Sequence, residues 1–207
     1  MANFKLFAHP WWVALLLFVP LLAYVLFRRK LLQLTSRELL VCAVFALSFG
    51  FVEGAVAIYL GIALGLSPGC ASARSDLGRL SADLHGQQTE QLTEQLGRLP
   101  PGLLKVEVIR EAATILMLLS VAILAEREWR ERFAIFLWTF ALWDLGYYIT
   151  LAATVRWPDS LTSPDVLFFI PVPWTAPVWF PILVSSLTVV VVLLTRNQKS
   201  HDRTFKD

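Results

Sequence analysis

From Leu39 to Leu66 the chain is apolar with a single charge, Glu53, near the middle of the stretch. A run of this length suffices to cross the roughly 30 Å hydrocarbon core of a bilayer as a helix. In lipid a lone segment can satisfy its backbone polar groups only by coiling into a helix. A carboxylate at that depth costs about 3 kcal/mol on insertion scales, so such groups face a protein interior and have a partner. The run therefore predicts both a membrane-spanning helix and a neighbour for it.

Four further stretches read the same way. They are Trp11–Phe27, about Leu103–Ala125, about Phe133–Val155 and about Ala176–Thr195. Overall the chain is 57% hydrophobic and 16% charged, against about 25% charged in a typical soluble domain. The predicted fold is all-α, a single integral membrane domain over residues 1–207: five transmembrane helices with spans about 11–27, 39–66, 103–125, 133–155 and 176–195. The first run is followed, not preceded, by Arg28, Arg29 and Lys30 and has no small-residue cleavage site. It reads as a retained anchor and not a signal peptide, with Pro20 expected to kink it. Ser36 is the expected N-cap of the second helix, and Pro68-Gly69 its stop.

Basic residues cluster beside alternate ends of the runs: Arg28, Arg29, Lys30 and Arg37; Arg127, Arg130 and Arg132; Arg196, Lys199, Arg203 and Lys206. The positive-inside rule makes that side cytoplasmic, with the N-terminus outside. Trp11, Trp12, Trp157, Trp174 and Trp179 would then form an outer aromatic belt, with Trp129 at the inner surface. The one sizeable polar segment, residues 67–105, falls outside. Leu77, Leu80, Leu84, Leu92, Leu96 and Leu99 share a helical face there, which suits a partly helical outer loop lying on the membrane or capping the bundle.

A net charge of +2 with the basic residues beside apolar runs argues against a nucleic-acid partner and for the lipid bilayer. Cys42 and Cys70 flank the second helix roughly 40 Å apart at about 1.5 Å per residue, too far for a disulfide. No Cys/His cluster points to zinc, and His9, His85 and His201 lie outside the runs, so zinc–cysteine and membrane haem sites are not expected. His-Glu-x-x-His and glycine-rich phosphate motifs are lacking, and Ser185 and Ser186 are expected to bond back to their own helix.

The chemistry that remains is carboxylate chemistry. In the third run Glu107, Arg110, Glu111 and Thr114 share a face by i, i+3, i+4, i+7 spacing. They read either as an ion-pair network closing the outer end of a bundle or as a vestibule with Arg110 as an anion clamp and Glu111 as a metal ligand or base. In the fourth run Asp144 lies beside Tyr147 and Tyr148, whose phenols can donate to a carboxylate. Asp144 and Glu53 are both near mid-depth. If their helices adjoin, they could share a proton, hold a hard cation with Glu111, or simply clasp two helices. Asp165 precedes a string with Pro171, Pro173, Pro177 and Pro181. Residues 166–175 therefore read as an extended stretch, re-entrant or interfacial, with Pro177 in the first turn of the last helix. In the second run Ala43, Gly50, Gly54, Ala57, Gly61 and Gly65 form a small-residue stripe suited to close helix packing, including contact with a partner protein or a second copy.

The strings Arg110-Glu111-Ala112-Ala113-Thr114, Trp143-Asp144-Leu145-Gly146-Tyr147-Tyr148 and Asp165 to Pro181 resemble a pattern recurring in uncharacterised small multi-pass bacterial membrane proteins. The resemblance implies a prokaryotic plasma (inner) membrane setting and no particular activity. Three functions fit the residues. The first is a buried carboxylate site (Glu53, Glu111 and Asp144, supported by Glu107, Arg110, Tyr147 and Tyr148) that binds a proton, a cation or a small polar ligand for transport or sensing. The second is an accessory or assembly subunit of a larger membrane complex. The third is a membrane enzyme using the same acids as metal ligands or as acid and base.

Overall fold

The computed structural model describes residues 8–63 and 101–197. The expected outer helix over 67–100, Gly65, Cys70, His85, His201 and the basic tail beyond Asn197 lie outside them. Within the described residues the chain is mostly helical. A 3-10 turn, Trp11–Leu17, leads into α1 (Phe18–Arg28). Then come α2 (Ser36–Ala63), α3 (Pro101–Ala125) and α4 (Trp129–Val155). A short antiparallel hairpin, β1 (Pro164–Phe168) and β2 (Trp174–Pro177), precedes α5 (Trp179–Thr195).

Four helical segments, Trp11–Arg28, Ser36–Leu60, Gly102–Ala125 and Trp129–Val155, are long and apolar enough to cross a membrane. The fifth, α5, has 17 residues, about 25 Å of helix at 1.5 Å per residue. Proline chemistry explains its late start. Pro177 does not open α5, as its position suggests, but ends β2, and the helix starts only at Trp179. The change from 3-10 to α geometry in the first segment falls just before Pro20, whose ring cannot donate to the i−4 carbonyl. The N-cap of α2 is Thr35 and not Ser36. Thr35 N–H donates to Glu38 Oε2 at 2.7 Å and Glu38 N–H to Thr35 Oγ1 at 3.2 Å, a reciprocal capping box. α3 begins at Pro101, two residues ahead of the expected Leu103, and Arg130 to Arg132 belong to the first turn of α4.

The helices alternate in direction. Gly50 lies against Trp143 and Tyr147, and Gly54 against Tyr147 and Thr150, so α2 and α4 run parallel. An isolated bridge joins His9 to Thr175 at one end, and another joins Leu32 to Arg196 at the other, so α1 and α5 also run parallel. At the Leu32 end the bundle is tightly filled. Phe27, Leu32, Leu34, Ile135, Trp138 and Val192 are buried in one cluster. Trp138 Nε1 donates to the Leu39 carbonyl at 3.1 Å. Arg130 Nη2 donates to the Leu26, Phe27 and Lys30 carbonyls, satisfying acceptors that the end of α1 leaves open. α2 packs closely along α4 and only sparsely on α3, and the candidate site lies between these helices and the hairpin. The outward faces stay apolar, with Leu40, Val44, Phe51, Ile109, Leu124 and Leu194 exposed.

Candidate functional site

Glycine packing sets the orientation of Glu53. A Cβ at Gly50 would stand 2.5 Å from the Trp143 carbonyl oxygen, and one at Gly54 would stand 2.8 Å from Thr150 Cγ2. Only the missing side chains let α2 and α4 approach so closely. The stripe expected to receive a partner protein is thus filled at Gly50 and Gly54 by the chain's own α4. With that face turned to α4, Glu53, one residue and about 100° from Gly54, faces α3.

There Glu53 is buried and doubly bonded. Arg110 Nη1 donates to Glu53 Oε2, and Thr114 Oγ1 donates to Glu53 Oε1 at 2.6 Å. Arg110 Nε donates to Glu107 Oε2 at 2.9 Å. Glu107 and Thr114 are buried as well. Helical spacing alone sets Arg110 between Glu107 and Glu111; its ion pairs are with Glu107 and, across the helix gap, with Glu53.

Glu111 is left for another duty. Both its oxygens accept the Phe169 backbone N–H, at 3.0 and 2.8 Å. Phe169 follows the last residue of β1, where the ladder stops, so the carboxylate supplies the acceptor that a strand would have supplied. The proline-rich stretch is extended, as its composition requires, and its tip is tied to α3 by this bond. The hairpin also carries Asp165. Its Oδ2 accepts the Tyr148 hydroxyl at 2.7 Å and its Oδ1 accepts the Val166 N–H at 2.8 Å. Burial pushes the Asp165 carboxyl up to about 6, against the two hydrogen bonds, which pull it down.

On α4, Asp144 Oδ2 accepts the Ser185 hydroxyl of α5 at 2.7 Å. This corrects the expectation that Ser185 bonds back to its own helix. Tyr148, expected beside Asp144, serves Asp165 instead. Tyr147 is close enough to Asp165, Arg110 and Asp144 to feel their charges. Trp143 is 8% exposed, and its indole N–H has no partner among the described residues.

All of these groups line one cavity of about 1020 Å³ between the helices and the hairpin. Among the described residues its wall holds Glu53, Glu107, Glu111, Asp144 and Asp165 with Arg110 as the one guanidinium, and apolar and aromatic side chains cover most of the rest. The three acids singled out from sequence therefore share a cavity but not a partner. No hydrogen bond joins any two of Glu53, Glu111 and Asp144 among the described residues. Nor do three or more His, Cys, Asp or Glu side chains gather there as a metal-binding group. Sequence reasoning notes Asp165 without placing it in the site. The usable signal is a carboxylate next to an irregular, proline-rich backbone between two apolar runs.

The chain matches no family model, no curated protein and no solved structure.

Proposed function

We propose that this is a five-span protein of a prokaryotic plasma (inner) membrane, N-terminus outside and C-terminus cytoplasmic, whose cavity binds a proton, a cation or a small polar ligand for transport or sensing. The observation that carries the reading is the cavity wall, where the described residues set five carboxylates and one guanidinium in an otherwise apolar and aromatic lining. Ligand pockets combine such apolar walls with a few convergent polar groups, at volumes of about 300–1,000 Å³. Ionisable groups at membrane depth are candidate ion, proton or ligand sites by default. In the proposed orientation the hairpin and the ends of α2, α3 and α4 that carry the acids face outward, and the filled core lies on the cytoplasmic side.

The competing readings have less support. The accessory-subunit reading rests on the glycine stripe, and Gly50 and Gly54 of that stripe already pack against α4. The metal-enzyme reading needs acids that converge, and here each has its own hydrogen-bond partner.

Native mass spectrometry with elemental analysis, on protein gently extracted from its own membrane, tests the proposal. The expected result is a bound small molecule or ion, retained by wild type and lost from Val56→Trp, which places an indole on the cavity wall. A bound partner protein, with nothing in the cavity and no effect of Val56→Trp, would overturn it.

A further inference from the structure

The five acids of the cavity are not equivalent. Glu53 and Glu107 are compensated by Arg110. Glu111 spends both oxygens on one backbone N–H. Asp144 and Asp165 form no ion pair among the described residues. Asp144 has one neutral hydroxyl, Ser185; Asp165 has one, Tyr148, and a backbone N–H. Both are half-buried, and Asp165 adds to the negative potential at Asp144. Aromatic rings line the same cavity. Ring centroids lie 6.2 Å apart for Trp143 and Phe168, 5.4 Å for Phe168 and Trp174, and 5.1 Å for Tyr147 and Tyr148.

Resting on the ligand-binding reading above, we infer that the Asp144–Asp165 side of the cavity takes a monovalent organic cation with an apolar body. Each element of the site fits that chemistry. Half-buried carboxylates with no ion pair among the described residues call for a positive charge. Aromatic faces attract a cation through their quadrupoles, most strongly when it is desolvated. A hard inorganic cation would need about six or more oxygen ligands, and the wall here is mainly carbon. The cavity, at about 1020 Å³, has room for the apolar body as well as the charged centre.

The test uses two probes of the same shape and opposite charge, tetraphenylphosphonium and tetraphenylborate, titrated into the purified full chain in neutral detergent. Binding is read by calorimetry. Tetraphenylphosphonium should bind at least tenfold more tightly than tetraphenylborate. Asp144→Asn/Asp165→Asn should lose about tenfold or more of the phosphonium affinity, since asparagine keeps an acceptor for Ser185 and Tyr148 but removes the charge. The comparison of the two probes on wild type stands even if the double variant fails to fold. Equal binding of both probes, or phosphonium binding unchanged in a folded double variant, would overturn the inference. If neither probe binds while a co-purified small molecule remains in the cavity, the organic-cation assignment falls and the broader ligand-binding reading stands. If neither binds and the cavity is empty, both fall.

Discussion

Arg110 is the residue on which the polar side of the cavity depends. It is the only cation paired with Glu53 and Glu107 among the described residues, so its loss leaves two buried carboxylates without compensation. Removing one partner of a buried pair costs about 3–5 kcal/mol. The Arg110 side chain is 30% exposed, which favours the lower figure. Arg110→Met is therefore expected to destabilise the protein by about 3 kcal/mol. Glu53→Gln should cost less, because Thr114 keeps an acceptor and the Arg110–Glu107 pair survives. The double variant should be less destabilised than the sum of the two, since contacting charges couple by about 0.5–3 kcal/mol. Thermal unfolding of the four proteins in detergent checks the order, and a strictly additive double variant would show that the pair is not coupled. Spacing along α3 is enough to place Glu107, Arg110, Glu111 and Thr114 on one face. It cannot say which acid Arg110 takes, because that depends on the helix standing opposite. Ser185 shows the same limit. Thr139, Thr150 and Thr188 all bond to the carbonyl four residues back, as hydroxyls in helices commonly do. Ser185 departs from that habit because Asp144 stands across from it.

At the scale of the elements, composition is most informative where backbone chemistry dominates. Alternating prolines exclude a regular helix before Trp179, and the chain forms a hairpin there. The small-residue stripe of α2 is equally visible, but its partner is not, since glycine records a close approach without naming what approaches. Gly50 meets α4, and the consequence is measurable. A Cβ at Gly50 would also lie 2.9 Å from the Tyr147 backbone nitrogen, and backbone atoms cannot turn aside as a side chain would. Gly50→Ala should force α2 and α4 apart and cost about 1–3 kcal/mol, the usual range for overpacking. Gly102, where an added methyl would meet nothing within 4 Å among the described residues, is the control. Gly102→Ala should be neutral or stabilising by up to about 1 kcal/mol, because alanine loses less backbone freedom in a helix. Melting temperatures that fall for Gly50→Ala and hold or rise for Gly102→Ala would confirm the contact, and equal values would contradict it.

At the scale of the whole molecule, the distribution of charge and the direction of the helices agree. The sequence places basic clusters beside alternate ends of its apolar runs. Independently, the packing makes α1 parallel to α5 and α2 parallel to α4, which brings the described clusters to one end. Arg130 there binds carbonyls at the end of α1, and Arg196 reaches Ser36 at the start of α2. The hairpin, with Asp165, lies at the opposite end, where His9 pairs with Thr175. Hydropathy alone can count the runs but cannot show that the acid-lined cavity lies toward the end remote from the basic residues. If the basic end is cytoplasmic, as the positive-inside rule requires, Leu161, just before the hairpin and 59% exposed, must lie outside. Asn197, exposed and just past α5, must lie inside. In a background lacking the native cysteines, Leu161→Cys should react with a membrane-impermeant maleimide in intact cells, whereas Asn197→Cys should react only after permeabilisation. The reverse pattern would invert the orientation and turn the cavity toward the cytoplasm. Labelling of both positions from outside would mean that the two ends of the bundle are not separated by a bilayer, and the five-span arrangement would fall with it.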